Sequence, residues 1–515
     1  MAEQIDPPLC LETALSTAQT SPPETISAKL YTISAKLYAD QGKLDEAEQM
    51  YHQARCGFAE ALGTEHPSTL NIVNCLGALY TDQGKMTEAE QMYVQALQGL
   101  ERTLGADHVF TLQTAGNLGS LYTDQGRFVE AEQMYLQALH GFETVLGIEH
   151  TLTLQIVGNL GRLYVKQGKL VQAEQMCQQA LQGFENTLGV EHILTLQIVS
   201  NLAKLYADQG KVIEAEQIYL WALQGHEKEL GADHILTLQI AGDLGNLYAD
   251  QGKLVRAEQV YQRVLQGFEK ALGIEHTLTL QMVTNIALLY TDQGKLIEAE
   301  KIYQRLIQAY EKTLAIGDET STFIPMLKTM WGLGCLYKKQ GELIKAEQIH
   351  QQVLQGYEKA LGMEHILTLE TVNDLGVAYA DQGKLIKAEQ MCQRALAGSE
   401  KVLGTEHILT LQAVNNLGVI YADQGKLADA EQMCQRALAG AKKVLGMEHI
   451  LILQAANNLG AIYAYQGKLI EAEQMYQLAL EGSQKMLSME HTLTLQIVHN
   501  LRLLYTEQGK AEQIL

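Results

Sequence analysis

The sequence predicts an all-α protein in which antiparallel helix hairpins stack into a solenoid. One phrase recurs through the chain with a period of 42 residues, as in LYADQGKLDEAEQMY (37–51) and LYTDQGKMTEAEQMY (79–93). Each copy holds a glycine at one fixed place, and apolar residues recur at steps of three and four on both sides of it. A repeated unit of this length with helical spacing and a single break indicates two helices per unit.

The first helix of each unit precedes the glycine. In the second copy, Leu70, Val73, Leu76 and Tyr80 follow one another at steps of three and four, which places them on one helical face. Gly84 then ends this helix, because a residue without a Cβ adopts the left-handed turn at little cost.

The second helix follows the glycine directly. In the same copy, Ala89, Tyr93, Ala96 and Leu100 recur at steps of four, three and four, and Gly105 closes the pattern. Because the turn between the two helices is short, the helices have to lie antiparallel.

One hairpin cannot bury all of its apolar residues. Ile72 and Leu79 lie off the apolar face of their own helix, so a neighbouring hairpin has to cover them. Stacked copies provide that cover, and the expected result is a solenoid in which each hairpin contacts mainly the next one.

The repeat also sets the expected domain boundaries. Its junction glycines are 42 residues apart, except that Gly294 and Gly341 are 47 apart, which places a five-residue insertion between about 315 and 325. We expect residues 25–515 to form one continuous solenoid of eleven hairpins and a terminal helix. Residues 1–24 are rich in proline, and we expect them to form a flexible N-terminal segment.

Composition excludes several classes of function. The formal net charge of -22 opposes binding to nucleic acid and to anionic membranes. No apolar run approaches the ~18 residues of a membrane span, and no cationic leader opens the chain, so a cytoplasmic location is predicted. The seven cysteines form no C-x-x-C pair, and Cys177, Cys392 and Cys434 replace a recurrent tyrosine, which indicates core packing.

The order Leu-Gly, Tyr, turn Gly, Ala, Tyr, Ala at these intervals resembles the tetratricopeptide repeat. The 42-residue period and the linker LGIEHTLTL (146–154) are similar to the kinesin light chain type of that repeat, over about residues 25–510. The resemblance implies a right-handed superhelix whose concave groove holds extended peptides. Similar arrays also follow nucleotide-binding switch domains. Neither such a domain nor the heptad-rich segment that joins kinesin light chains to their heavy chains is present in these residues, which argues against a motor role.

No catalytic residue, metal site or cofactor is predicted. Acidic residues precede ten linker histidines, namely His66, His108, His150, His192, His234, His276, His365, His407, His449 and His491. Neighbouring pairs are one repeat apart, about 10 Å for packed helices, whereas metal ligands lie ~2 Å from a shared ion. We expect this linker to cap the following helix instead. The lysine after the junction glycine lacks the other residues of a phosphate-binding loop, so no enzyme is predicted.

Polar residues form ladders along a second stripe of the first helices. One ladder of glutamines includes Gln155, Gln197, Gln239 and Gln281, and one of asparagines consists of Asn117, Asn159, Asn201, Asn285, Asn416, Asn458 and Asn500. A third ladder consists of aspartates near the junctions. The resemblance implies that this stripe lines the groove and that the asparagines bind the peptide backbone, for which an amide offers both a donor and an acceptor. The alternative is a solvated polar face without a ligand.

The stripe changes character beside the insertion. Here it contains Lys328, Trp331, Cys335, Lys338 and Lys339, and a smaller basic group consists of Arg162, Lys166 and Lys204. Sequence degeneration is one explanation. The other is a specificity site, in which the tryptophan stacks on a ligand aromatic ring and the lysines pair with ligand carboxylates. The resemblance favours the second, because kinesin light chain grooves bind peptides with a tryptophan among acidic residues.

The leading hypothesis is a non-enzymatic scaffold that binds a protein or peptide ligand in its groove. A second hypothesis is a co-chaperone that clamps acidic C-terminal tails. It is disfavoured, because such a clamp needs lysine or arginine along the groove and most of those positions hold aspartate. The alternatives are a self-assembling structural or adaptor element, or the partner of a separate signalling switch domain. Only GKAEQIL (509–515) follows the last first helix, so Leu501, Leu504 and Tyr505 are expected to lie uncovered and to form a homodimer through that helix.

Overall fold

A computed structural model describes residues 23–40, 43–315, 323–489 and 491–509. Every regular element in these ranges is an α-helix, so the predicted all-α class is confirmed. The expectation of a flexible segment concerns residues 1–24, which lie outside the described residues except for the first two positions of the first helix. Most of the insertion, residues 316–322, also lies outside them.

Helices of two kinds alternate along the chain as eleven hairpins and a last helix. The first helices are α1 Pro23–Asp40, α3 Pro67–Asp82, α5 Val109–Asp124, α7 Thr151–Lys166, α9 Ile193–Asp208, α11 Ile235–Asp250, α13 Thr277–Asp292, α15 Phe323–Lys339, α17 Ile366–Asp381, α19 Ile408–Asp423, α21 Ile450–Tyr465 and α23 Thr492–Glu507. The second helices are α2 Leu44–Leu62, α4 Met86–Leu104, α6 Phe128–Val145, α8 Leu170–Leu188, α10 Val212–Leu230, α12 Leu254–Leu272, α14 Leu296–Ala315, α16 Leu343–Leu361, α18 Leu385–Leu403, α20 Leu427–Val444 and α22 Leu469–Met486. We call the turn inside a hairpin the junction and the segment between hairpins the linker.

Small residues allow the helices to approach closely. A Cβ on Gly99 of α4 would lie 2.6 Å from Leu70 Cδ2 of α3, so only glycine fits there without a shift of the leucine. Cys392 and Cys434 are fully buried at the place of the recurrent tyrosine, which confirms that they are packing residues.

A recurrent glutamate ties each hairpin to the next. Glu431 of α20 accepts hydrogen bonds from Gln466 Nε2 and Lys468 Nζ of the following junction, both at 2.9 Å. Lys468 Nζ also lies 5.1 Å from the ring centroid of Tyr463, within the range of a cation–π contact. The junction lysine therefore connects successive hairpins.

We expect Glu431→Ala to lower the free energy of unfolding by about 1–2 kcal/mol, because Gln466 and Lys468 lose a shared charged acceptor. Asp429→Ala, at an exposed position of the same helix, is the control, with an expected change below about 0.5 kcal/mol. Urea unfolding followed by circular dichroism measures both. Equal effects of the two substitutions would contradict the conclusion that Glu431 stabilises the contact between successive hairpins.

The last helix does not leave its apolar stripe uncovered. Leu501, Leu504 and Tyr505 are buried and pack with Ala472 and Tyr476 of α22. The expectation that they lie open is therefore wrong, because α23 packs onto the preceding second helix as the other first helices do. The homodimer predicted from these three residues loses its basis.

The described chain groups into two compact units. The first contains its residues up to Leu163, with 175–190 and Phe323. The second contains 164–174 and the described parts of 191–316 and 324–515.

Within the second unit, the chain contacts itself again six hairpins later. His407 Nε2 lies 3.3 Å from the carbonyl oxygen of Lys166. The N–H of Gly446 donates to the carbonyl oxygen of Gln209 at 2.8 Å, and the N–H of Ser488 donates to that of Gln251 at 3.1 Å. These contacts join the junctions after α7, α9 and α11 to the linkers before α19, α21 and α23. We call this set of contacts the seam.

Candidate functional site

A cavity of about 560 Å³ lies in the second unit, on the polar stripe of four consecutive first helices. Its lining includes Gln281 and Asn285 of α13, Lys328 and Trp331 of α15, and residues of α17 and α19. The structure thus brings together four of the predicted site residues. The same polar stripe continues along the first-helix residues of the second unit, from Lys166 and Lys204 to Asn458 and Asn500, and we call it the polar wall.

Trp331 is held in the polar wall by a half-buried acid. Its indole N–H donates to Asp374 Oδ2 of α17 at 2.7 Å. Burial raises the pKa of Asp374, while the hydrogen bond from Trp331 and the charge of Lys338 act in the opposite direction. The indole is therefore fixed at its polar edge, beside the cavity that its ring lines.

Lys328 is a cation of the cavity lining that has no ion pair within 4.0 Å among the described residues. The surrounding protein lowers its pKa, and the positive charges of Lys204 and Lys166 lower it further, against the opposing charge of Glu370. Lys166 and Lys204 are far from Lys328 in the sequence. Their charges nevertheless act on Lys328 in the folded chain.

Glu370 is a functional candidate that sequence reasoning missed. It lines the same cavity, and desolvation by the surrounding protein raises its pKa to about 7, with a further increase from the charge of Asp374. Glu370 and Lys328 occupy equivalent positions of consecutive repeats, where most other repeats carry glutamine. The signal was therefore present as two opposite charges at consecutive places of a ladder that is mostly glutamine.

Two of the predicted lysines are neutralised outside the cavity lining. Lys338 Nζ lies 2.8 Å from Asp381 Oδ2, and Lys339 Nζ lies 3.2 Å from Asp292 Oδ1. Both aspartates belong to the ladder at the ends of neighbouring first helices. These lysines therefore connect repeats in the structure without a ligand.

The remaining predicted cation, Arg162, lies in the first unit. Its guanidinium donates from Nη2 to Ser120 Oγ of the preceding first helix at 3.1 Å. Gln155 lies nearby in the same helix, and its Oε1 is a buried acceptor without a hydrogen-bond partner in the described part of the chain.

The asparagine ladder is oriented by hydrogen bonds between repeats. Nδ2 of a ladder asparagine donates to Oδ1 of an asparagine 43 positions earlier, at 3.0–3.2 Å, in the pairs Asn117 with Asn74, Asn416 with Asn373, Asn458 with Asn415 and Asn500 with Asn457. Asn285 donates to Asn246 in a related way. The bond uses one N–H of the donating amide and fixes the orientation of that side chain. Its Oδ1 acceptor and the other N–H of Nδ2 therefore have fixed directions. Asn159 and Asn201 have glycine 43 positions earlier, so this particular bond cannot form there.

The linker histidines cap helices, as predicted. In each of the ten, Nδ1 accepts the backbone N–H two residues later at 3.1–3.3 Å, for example in His449 with Leu451. An imidazole that accepts at Nδ1 has to be neutral there. Burial lowers the pKa of His365, His407 and His449 to about 4, which agrees with that requirement.

The described residues contain no group of three or more histidine, cysteine, aspartate or glutamate side chains that could hold a metal ion. Among the described helices, none combines the length and apolar character needed to cross a membrane.

Comparison with known proteins gives one family. The tetratricopeptide repeat matches residues 68–144, 151–228, 194–270, 236–312, 325–401, 367–443 and 409–485, and a second form of it matches 35–68. No curated protein matches the chain.

Solved structures similar to the chain include BtubC (BKLC) from P. vanneervenii, at 20% identity over 46% of this chain and 91% of that one, with a TM-score of 0.36. A putative kinesin light chain with nearly identical TPR-like repeats from Podosopora anserina is 24% identical over 41% of this chain and 98% of that one, with a TM-score of 0.34. Yeast Tom70 is 13% identical over 94% and 96% of the two chains, with a TM-score of 0.43.

Proposed function

Because this chain belongs to the tetratricopeptide repeat family, whose arrays serve as scaffolds for protein interaction, we propose that its polar wall binds an extended segment of a partner protein. The observation that carries this proposal is the row of asparagine amides held in one orientation by bonds between repeats. A peptide backbone repeats a donor and an acceptor at regular intervals, and an oriented row of amides can pair with both whatever the side chains are.

The charges at the cavity indicate the chemistry of the partner segment. Lys328 has no ion pair among the described residues and lies in the positive field of Lys166 and Lys204, so a carboxylate placed there would relieve their mutual repulsion. The ring of Trp331 lines the same cavity and offers an aromatic surface. We therefore favour a segment in which an acidic residue lies next to an aromatic one, in keeping with the resemblance to kinesin light chains.

The net charge of the whole chain supports a protein as the partner. A net charge of -22 disfavours nucleic acid and anionic membranes as ligands, and a protein partner in the cytoplasm suits the chain best.

Site-directed photocrosslinking tests this function. A photoreactive phenylalanine replaces Gln281 in the cavity lining or, as a control, the exposed Gln266 on second helix α12. We expect irradiation in a cell extract to link the Gln281 variant to one short segment of a protein, and a synthetic peptide of that segment to compete. Equal crosslinking of the segment at Gln266, or failure of the peptide to compete, would contradict the proposal.

A further inference from the structure

We propose that the seam is a reversible clasp whose closing assembles the basic part of the polar wall. The backbone at Gly446 and at Ser488 is its moving part, and the contacts of these residues with Gln209 and Gln251 are its closed state. The coupling of the clasp to a partner segment rests on the function proposed above. The existence of the clasp does not.

The linkers that the structure describes occur in two conformations. In eight of them, the linker glycine has φ between 88° and 97°, and the N–H of Gly362 donates to Glu358 of its own helix. The linker before α19 has this conformation too and meets the seam through the side chain of His407. Gly446 does not have a positive φ, and its N–H donates to Gln209 across the seam. Leu445 before it is extended, with φ -115° and ψ 159°, and α20 ends one residue earlier than most second helices. The same N–H therefore has two alternative acceptors, one in its own helix and one across the seam.

The last linker is biased towards the closed state. Nine linkers carry glycine at this position, whereas the last one carries Ser488. The conformation of the open linkers, such as Gly63 with φ 97° and ψ 158°, is strongly disfavoured for residues with a side chain. Ser488 thus holds its linker in the conformation that reaches Gln251.

The junction side of the seam has no room for side chains. A Cβ on Gly210 would lie 2.8 Å from Cα of His449, whereas a Cβ on Gly425 would have no atom within 4 Å. Both glycines have nearly the same φ, 78° and 77°, and both lie in the sequence Ala-Asp-Gln-Gly-Lys. The two positions therefore differ in the presence of the seam and share the same local backbone.

Lys166 connects the seam to the polar wall. Its carbonyl oxygen lies at the seam, 3.3 Å from His407 Nε2, and its positive charge acts on Lys328 and on His365. The closed seam holds the backbone of Lys166 against His407, and in this state its charge acts on Lys328, so we expect opening of the seam to weaken that interaction. A ligand carboxylate that binds both lysines would therefore stabilise the closed clasp, because it interacts better with that state.

Hydrogen exchange of the intact chain without any ligand tests the clasp. We expect Gly210→Asn to speed exchange of the Gly446 amide at least tenfold, because the new side chain displaces the linker. Gly425→Asn is the matched control, since asparagine carries the same strain at positive φ there, and it should leave this amide unchanged. Ser488→Gly introduces no bulk and should speed exchange of the amide at position 488 at least threefold.

Two outcomes would overturn the clasp. One is a wild-type chain in which the amides of Gly446 and Ser488 exchange as fast as unprotected ones. The other is equal exchange in Gly210→Asn and Gly425→Asn, both shown to be folded by circular dichroism. If Gly210→Asn fails to fold, unchanged exchange in Ser488→Gly contradicts the proposal by itself. Since no ligand is present, failure of the clasp is distinct from failure of the peptide-binding function.

Discussion

Lys328→Glu is expected to weaken binding of the partner segment at least tenfold, or about 1.4 kcal/mol. The substitution replaces the cavity cation with a carboxylate that faces Glu370, and it leaves the segment's acidic residue without its counter-charge. The ligand for the measurement is the synthetic segment that crosslinks at Gln281. Because the chain has two tryptophans, Trp221→Phe leaves Trp331 as the fluorescent reporter at the cavity.

Lys359→Glu is the matched control for this charge reversal. It makes the same change in net charge at an exposed position of second helix α16 and should change the affinity less than twofold. Equal losses in the two variants would mean that the net charge of the protein, and not the cavity, attracts the segment.

The double variant with His365→Asn and His449→Asn is expected to lose less stability than wild type as the pH falls. Burial lowers the pKa of both imidazoles from 6.5 to about 4, so the unfolded chain binds more protons than the folded chain between these values. Stability from the neutral histidines is therefore present above about pH 6.5 and is lost as pH falls towards 4. Each histidine contributes at most about 1.4 kcal/mol per pH unit in this window.

Asparagine is a good helix cap that does not titrate, so it keeps the acceptor and removes the protonation. Between pH 7.5 and 5.5, we expect the stability of the double variant relative to wild type to rise by about 2–3 kcal/mol, measured by urea unfolding at each pH. His234→Asn, at an exposed linker with the same cap, is the control and should follow wild type. A constant difference between the double variant and wild type would contradict the prediction.

The comparison with wild type is needed because two carboxyls with raised pKa values act in the opposite direction. Burial raises the pKa of Asp208 and of Asp250 to about 6, so the folded chain gains their protons first as pH falls. Their protonation favours the folded state in the window in which the histidines disfavour it. The pH profile of the wild type alone therefore mixes two effects that the histidine variants separate.

Sequence reasoning identified the capping histidines and the buried cysteines for reasons that are local. The histidine cap joins residues two positions apart, and the buried cysteines occupy the repeat position of a tyrosine. Both can be predicted without knowing how distant repeats pack. The same reasoning failed for Leu501 and Leu504, because the linear count of helices did not show that the face beside α22 was sufficient to bury them. It also treated Lys338 and Lys339 as available, although their partners lie one repeat away on each side.

By itself, the sequence determined the helices, their hairpins and the ladder positions, since periodicity, glycine turns and caps act over a few residues. Only the tertiary structure decided that Lys166 and Lys204 act on Lys328, that Glu370 lies in the same cavity, and that the linker at Gly446 meets Gln209. Contacts between residues so far apart in the sequence depend on small rotations between successive repeats, which add up over several hairpins. The sequence of a single repeat does not show how large the total rotation is.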